Sequence, residues 1–227
     1  MQLQGTTKVF KTRPVQRYAR PASQEEPHLE TSQRMTIVVG SGSTLFLLPD
    51  SVTCFRSASY SQIQTFKIAS DASAILLDWI TSGRKSLGED WVFSKYFSVN
   101  ELFVDGKRVA RDAMLLEEQE DAIKALPYRS LANRLSPYSC YATLILYGPQ
   151  TAGTIEHLSR RFSTITVFKH AYPPNHLWSL TLLDEGKGCV LRVAALAAED
   201  VRTWLGEVLL PLCDLIGEDV YNRTFGR

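Results

Sequence analysis

Short apolar runs broken by turn residues recur along this chain, and they constrain its fold more than any other feature. Apolar residues alternate over 178–182 and over 189–193, on either side of a turn at 184–188, which predicts a β-hairpin. The dipeptide Asp105-Gly106, which tolerates positive φ, predicts a second hairpin. Further strands are predicted at the end of 1–11 and over 35–39, 45–48, 66–68, 74–80, 91–104 and 140–147.

Helical patterns are fewer and lie mostly late in the chain. Apolar residues spaced three and four apart predict helices over 151–162 and 198–217. Pro211 is expected to kink or restart the second helix, because proline cannot donate to the helical ladder. An acidic patch from Glu117 to Asp121 opens a third predicted helix, over 117–135.

Many strands followed by a few helices favour a mainly β (α+β) architecture. We expect stacked sheets of short strands with a small helical C-terminal part, in a single domain over 1–227. Residues 12–34 are polar and contain three prolines, which predicts an exposed loop. Its basic beginning is either an anion-seeking arm or a solvated loop whose charges cancel locally.

Charge and cysteine usage exclude several classes of protein. The formal net charge is +1, so no overall field recruits nucleic acid or a membrane surface. The four cysteines are far apart in sequence, which favours a reducing compartment, with the cytoplasm as the expected location. No apolar run reaches the roughly 18 residues that a membrane-spanning helix needs.

Sequence signatures of catalysis are missing. No serine lies in a nucleophile-elbow pattern, no glycine loop has the lysine of a P-loop, and the four histidines show no ligand spacing. We therefore expect no enzyme active site and no tightly bound cofactor.

Carboxylates in turn-rich segments are the remaining candidates. Asp50 follows a proline, Asp78 interrupts the apolar run 74–80, and Arg84 and Glu89 follow within a turn. A charge within a buried run is costly unless it is paired. Asp78 is therefore expected to contact Arg84, a backbone donor or a cation. A structural pair of Asp78 with Arg84 and a polar passage for a cation are both open readings.

Several segments resemble the UreD-type urease accessory proteins. The segment 4–11, with Thr7 and Lys8, looks like an opening strand of that family. The segment 47–62 is similar to a further segment of that family. It matches the family at Pro49, Phe55, Ser57, Tyr60 and Gln62.

The most specific resemblance lies at 77–93. Leu77 to Arg84 and the following Gly88-Glu89 match the family's aspartate, Gly-Arg and Gly-Glu positions, which include Gly83. The resemblance covers nearly the whole chain, with a fungal or plant character. Family members usually begin well before the position of Gln4, so an N-terminal truncation is expected.

The resemblance implies a non-catalytic chaperone that assists nickel insertion into apo-urease. The implied partners are apo-urease, a UreF-type protein and, through it, a UreG-type GTPase, with nickel carried in transit. On this reading Asp50, Asp78 and Glu89, with Arg84, form a polar cluster on the route of the ion. Ser57, Tyr60 and Gln62 are further candidates, with a fold-defining role as the alternative.

The C-terminal helical stripe offers a partner-binding surface, with Trp204 and Tyr221 as candidates, or packs on its own sheet.

Two other functions are alternatives to the chaperone. One is a mainly β scaffold or interaction protein without nickel contact. The other is a hydrolase that uses Asp78 and Glu89 as acid and base.

Overall fold

A computed structural model describes residues 7–11, 30–118, 129–165 and 173–225. These residues form eleven strands in two mixed sheets and five α-helices. The strands are β1 Thr7–Val9, β2 Thr31–Val39, β3 Thr44–Leu47, β4 Val52–Cys54, β5 Ser59–Ile68, β6 Ser73–Thr81, β7 Lys95–Val104, β8 Lys107–Glu117, β9 Cys140–Tyr147, β10 His176–Leu183 and β11 Gly188–Ala195. The helices are α1 Leu131–Leu135, α2 Ala152–Ser163, α3 Ala198–Leu209, α4 Cys213–Ile216 and α5 Glu218–Phe225. The predicted mainly β, α+β fold is confirmed.

The larger sheet has the strand order β1-β4-β6-β9-β11-β10, with β3 also paired to β6. The smaller sheet has the order β2-β5-β7-β8. Both predicted hairpins, β7–β8 and β10–β11, are antiparallel neighbours. In the larger sheet β1 pairs in parallel with β4, and β3 and β4 each pair in parallel with β6. In the smaller sheet β5 pairs in parallel with both β2 and β7.

Helices α2, α3, α4 and α5 cover one face of the larger sheet, whereas Leu131 of α1 packs in a cluster on the other face. Their apolar side, with Val201, Trp204 and Leu205 of α3, packs on alternate residues of β6, β9 and β11. The other face of the same strands meets the smaller sheet across two further apolar clusters. The molecule therefore has three layers, in the order helices, larger sheet and smaller sheet.

Two sequence predictions need correction, the loop 12–34 and the helix 117–135. Thr31 to Arg34 belong to β2, because this strand pairs in parallel with β5 along its whole length, so only 12–29 of the predicted loop lie outside the described residues. Glu117 ends β8 opposite Lys95 and does not open a helix. Of the predicted helix 117–135, the structure shows Leu131–Leu135, and 119–128 lie outside the described residues.

The predicted helix 198–217 is broken where proline was expected to break it. α3 ends at Leu209, a 3-10 turn covers Leu210–Leu212 around Pro211, and α4 then begins at Cys213. At the start of α3, the backbone N–H of Ala197 donates to the Asp200 carboxylate at 3.1 Å, which caps the helix. No helix among the described residues is long and apolar enough to cross a membrane.

Candidate functional site

A line of polar side chains crosses the core between the two sheets. In the larger sheet, Asp78, Thr143 and Arg192 are register partners on β6, β9 and β11. Neighbouring residues of these strands on the same face, such as Leu76 and Ile145, are apolar and buried. Because side chains alternate along a strand, this one register places three polar groups in the inter-sheet layer.

The smaller sheet presents matching polar residues. Gln62 is the register partner of Ser98, and Asn100 is the register partner of Asp112. All four residues are buried, between 1% and 7% exposed. We use the name polar row for the set Gln33, Tyr60, Gln62, Asp78, Ser98, Asn100, Thr143, Asp112 and Arg192.

Asp78 is the centre of the polar row. Its carboxylate accepts hydrogen bonds from Gln62 Nε2 at 2.7 Å, Ser98 Oγ at 2.5 Å and Asn100 Nδ2 at 2.9 Å. The Tyr96 hydroxyl donates a longer bond of 3.4 Å. All four donors are neutral, so the carboxylate is satisfied by hydrogen bonds while its charge has no counter-charge among these groups.

Burial raises the pKa of Asp78, because a charged carboxylate is poorly solvated between the sheets. The bonds from Ser98, Asn100 and Gln62 favour the charged form and oppose this rise. Although protein surrounds it, the Asp78 residue keeps part of its surface accessible to water and is only half-buried. Asp78 can therefore be either a protonated carboxylic acid or a charged carboxylate.

One end of the polar row reaches the surface at β2. The Tyr60 hydroxyl donates to Gln33 Oε1 at 2.8 Å and also lies 3.2 Å from Gln62 Oε1. Gln33 is exposed, whereas Tyr60 is buried. Burial and the nearby Asp78 charge raise the pKa of Tyr60 to about 12, so its hydroxyl stays a donor at neutral pH.

The other end reaches the surface at β11. Arg192 donates from Nε and Nη2 to Asp112 Oδ1, at 3.0 and 2.5 Å. Thr143 Oγ1 donates to Asp112 Oδ2 at 3.0 Å. Between the two ends, a gap lined by Gln64, Asp78, Asn100 and Thr143 has no room for a water molecule, so this part of the polar row is closed.

The three predicted carboxylates do not share one site. Asp50 forms an ion pair with Arg202 at 3.4 Å, next to the helices. Glu89 is held by Arg84, through Nε–Oε2 at 2.8 Å and Nη2–Oε1 at 2.7 Å. Among the described residues, no group of three or more His, Cys, Asp or Glu side chains is arranged to hold a metal ion.

The predicted pair of Asp78 with Arg84 is therefore wrong. Arg84 follows the end of β6, where its guanidinium bonds to Glu89. The Arg84 Cζ atom lies 4.2 Å from the centroid of the Phe55 ring, so the guanidinium stacks on that ring. The Arg84 guanidinium lowers the pKa of Glu89, because it stabilises the charged carboxylate.

The remaining motif positions shape the turns beside this pair. Ser57 has φ of +58° and its N–H donates to the Val92 carbonyl at 3.1 Å. Gly83 has φ of +127°, and a Cβ at this position would lie 3.0 Å from the Glu89 carbonyl oxygen. Gly88, with φ of +69°, ends the turn at Lys85–Leu87. These residues position the Arg84–Glu89 pair.

The other predicted residues lie apart from the polar row. Thr7 and Lys8 are exposed on β1, and the Pro49 carbonyl accepts from Trp79 Nε1 at 2.8 Å. Trp204 and Tyr221 were predicted as partner contacts but are only 2% and 9% exposed, within the cluster under the helices. Their stripe packs on its own sheet, which was the alternative reading.

The sequence interpretation missed Asp112 and Arg192. A signal existed for Arg192, which interrupts the apolar run 189–195 in the same way that Asp78 interrupts 74–80. Asp112 lies in β8 among mixed polar and apolar residues, so the pattern alone does not single it out.

These features define a class of two-sheet β protein in which a polar row, rather than an open pocket, crosses the inter-sheet core. The family model described as UreD urease accessory protein matches residues 1–224. This chain therefore belongs to the UreD family of urease accessory proteins.

Individual relatives agree. The chain is 38% identical to urease accessory protein 4 of Cryptococcus neoformans var. grubii, over 98% of this chain and 72% of that protein. It is 32% identical to urease accessory protein D of Arabidopsis thaliana, over 81% of this chain and 67% of that protein. The identity to UreD of Sorangium cellulosum is 30%, over 87% of this chain and 59% of that protein.

Proposed function

We propose that this chain is a non-catalytic accessory protein that assists the insertion of nickel into apo-urease. Membership of the UreD family and the urease accessory names of its relatives support this role. In this proposal the chain works in the cytoplasm, in a complex with apo-urease and a UreF-type protein. The UreF-type protein recruits a UreG-type GTPase, and nickel is a cargo rather than a resident cofactor.

The polar row is the observation that supports a direct contact with the ion. It extends from exposed Gln33 to exposed Arg192, and its charged members are two carboxylates and one guanidinium. The Asp78 carboxylate and the Ser98 hydroxyl offer oxygen atoms, which hold nickel more weakly than nitrogen or sulfur ligands do. Weak binding suits an ion that must be passed on, and Asp78 is the residue we assign to this contact.

The test is nickel-dependent urease activation with the partners present. The chain is co-expressed with apo-urease and the UreF-type and UreG-type proteins, and the complex is isolated before activity is measured. Asp78→Asn is expected to leave the complex intact and to lower activation, because the carboxylate charge that attracts the ion is gone.

The matched control is Asp71→Asn, an exposed aspartate bonded to Ser41 Oγ at 2.6 Å and outside the polar row. It should activate urease as the unaltered chain does. Full activation by Asp78→Asn would rule out the proposed contact of Asp78 with nickel.

A scaffold without nickel contact is the second candidate. The closed gap between Asp78 and Thr143 favours it, because an ion cannot pass there without movement of the two sheets. A scaffold predicts that both aspartate variants form the complex and activate urease equally.

A further inference from the structure

The smaller sheet has an outward side that the core clusters of the described residues do not include. We use the name outer face for the side of β2, β5, β7 and β8 that points away from the larger sheet. On β5 and β7 it consists of the odd-numbered residues, because even-numbered neighbours such as Phe66 and Tyr96 lie in the inter-sheet core. Ile63, Phe97 and Val99 therefore point outward, and none of them belongs to a core cluster of the described residues.

The middle of the outer face is apolar. Ile63, Val99 and Ala113 are register partners on three neighbouring strands, and Phe97 is paired with Leu115 in the adjacent row. Leu115 is 51% exposed. These side chains form one contiguous apolar area, and an area of this kind on a protein surface marks a binding site more often than single exposed leucines do.

The residues of β7 indicate that the outer face requires a covering layer. A strand with one side in water alternates apolar and polar residues, whereas strands in parallel sheets are covered on both sides and are apolar on both. β7 is parallel to β5, and β5 is parallel to β2. The inward Tyr96 and Leu102 of β7 are matched by the outward Phe97, Val99 and Phe103. The core clusters of residues 7–11, 30–118, 129–165 and 173–225 supply no layer over these outward side chains.

Positive charge lies around the apolar middle. Arg34 and Lys67 point outward from β2 and β5, and both are exposed. Arg108 and Arg111 of β8 share the carboxylate of Glu101, at 3.1 and 3.6 Å. Two copies of this chain packed through this face would place like charges opposite each other, whereas carboxylates on a different protein would be attracted.

We propose that the outer face is a docking surface for a separate protein that presents apolar side chains framed by carboxylates. The apolar middle, with Phe97, Val99 and Leu115, supplies the buried area, and the cations around it select an acidic partner and speed its association. That this partner belongs to the urease-activating complex rests on the proposed function above. The outer face lies on the opposite side of the smaller sheet from the polar row, so it can be altered without changing Asp78.

The first test maps the contact in the complex isolated after co-expression with apo-urease and the UreF-type protein. The photoreactive amino acid p-benzoylphenylalanine replaces Leu115 in the full chain. The matched control carries it in place of Leu182 on β10, because both leucines are 51% exposed. After irradiation, the expected result is a product that joins this chain to one of the two other proteins from position 115 and none from position 182.

The second test changes the chemistry of the surface. Leu115→Arg puts a charge into the apolar middle and is expected to lower the amount of complex recovered by about tenfold, as the loss of a central apolar contact does. Leu182→Arg is its control and should change nothing. Lys67→Glu should also lower recovery and make it less sensitive to salt, because part of the attraction is removed. Its control is Lys187→Glu, at a side chain that is 67% exposed in the turn after β10. Circular dichroism shows that each variant is folded.

Several results would overturn the inference. A product that joins position 115 to the same chain, or to a second copy of it, would give the outer face a different occupant. Full recovery of an activating complex with Leu115→Arg would contradict the docking surface and leave the proposed function intact. If the Leu115 variants behave as expected and Asp78→Asn still activates urease fully, the docking surface stands and the nickel contact fails. If the unaltered chain forms no complex with these proteins, the proposed function and the docking surface both fail.

Discussion

At the scale of single residues, Asp78 and Glu89 are two carboxylates with opposite electrostatic surroundings. Asp78 is held by four neutral donors between the sheets, and burial raises its pKa. Glu89 is held by the charged fork of Arg84, which lowers its pKa. The two residues must therefore contribute to stability with opposite dependence on pH.

For Asp78, the folded chain binds the proton more tightly than the unfolded chain. Its stabilising contribution is complete below about pH 4, the ordinary aspartate pKa, and is lost as pH rises through the raised value. We predict that the free energy of unfolding of the unaltered chain, relative to that of Asp78→Asn, decreases as pH rises from about 4 to 7. Urea unfolding followed by circular dichroism at several pH values measures this difference.

Glu89→Gln provides the control of opposite sign. Its lowered pKa gives a contribution that is present above the ordinary glutamate pKa and is lost as pH falls through the lowered value. Relative to Glu89→Gln, the unaltered chain should lose stability on acidification. Parallel slopes for the two variants would show that the local environments described here do not set these pKa values.

The sequence pointed to Asp78 because one charge interrupts an apolar run, and that inference identified the centre of the polar row. Its partners could not be predicted, since Gln62, Ser98 and Asn100 belong to strands of another sheet. Arg84 is close in sequence, but Asp78 faces the smaller sheet while Arg84 follows the end of its strand. Nearness along the chain was a poor guide because the bonding partners are fixed by how the sheets stack.

At the scale of elements, local signals predicted strands and hairpins well. The dipeptide Asp105-Gly106 has positive φ at both residues and joins antiparallel β7 and β8 as predicted. The parallel pairs, such as β5 with β7, have no turn that marks them, so the strand order could not be predicted from the sequence. Parallel strands need long connections, and their partners are chosen by burial across the whole sheet.

The turn after β9 depends on Gly148. This residue has φ of +96°, and a Cβ there would lie 2.7 Å from the Ser73 Cα atom. We predict that Gly148→Ala lowers the free energy of unfolding by about 3 kcal/mol or more, because both the backbone conformation and the contact are unfavourable. Urea unfolding measures the loss.

Gly153 is the matched control. It lies in helix α2, and a Cβ there meets no atom within 4 Å. Gly153→Ala should raise the free energy of unfolding by about 0.5–1 kcal/mol, as alanine does in an open helical position. A similar loss in both variants would mean that the close approach at Gly148 is not what requires glycine.

At the scale of the whole molecule, the larger sheet is shared by two cores. One of its faces packs on the helices, and the other packs on the smaller sheet around the polar row. The same strands, β6, β9 and β11, contribute alternate residues to both sides. Loss of packing on one face should therefore weaken the packing on the other. If the chain is a single domain, as predicted, both cores are expected to unfold together in one cooperative transition.

Leu205 tests this cooperativity, because it is 1% exposed on the helical side, on the opposite face of the larger sheet from β7. We predict that Leu205→Ala lowers the free energy of unfolding by about 2–5 kcal/mol. Hydrogen exchange should show the same loss of protection in the slowest amides of α3 and of β7. Leu210→Ala, at an exposed position just after α3, is the control and should change neither. Weaker protection in α3 with unchanged protection in β7 would divide the chain into two units that unfold separately, and the polar row would then lie at their boundary.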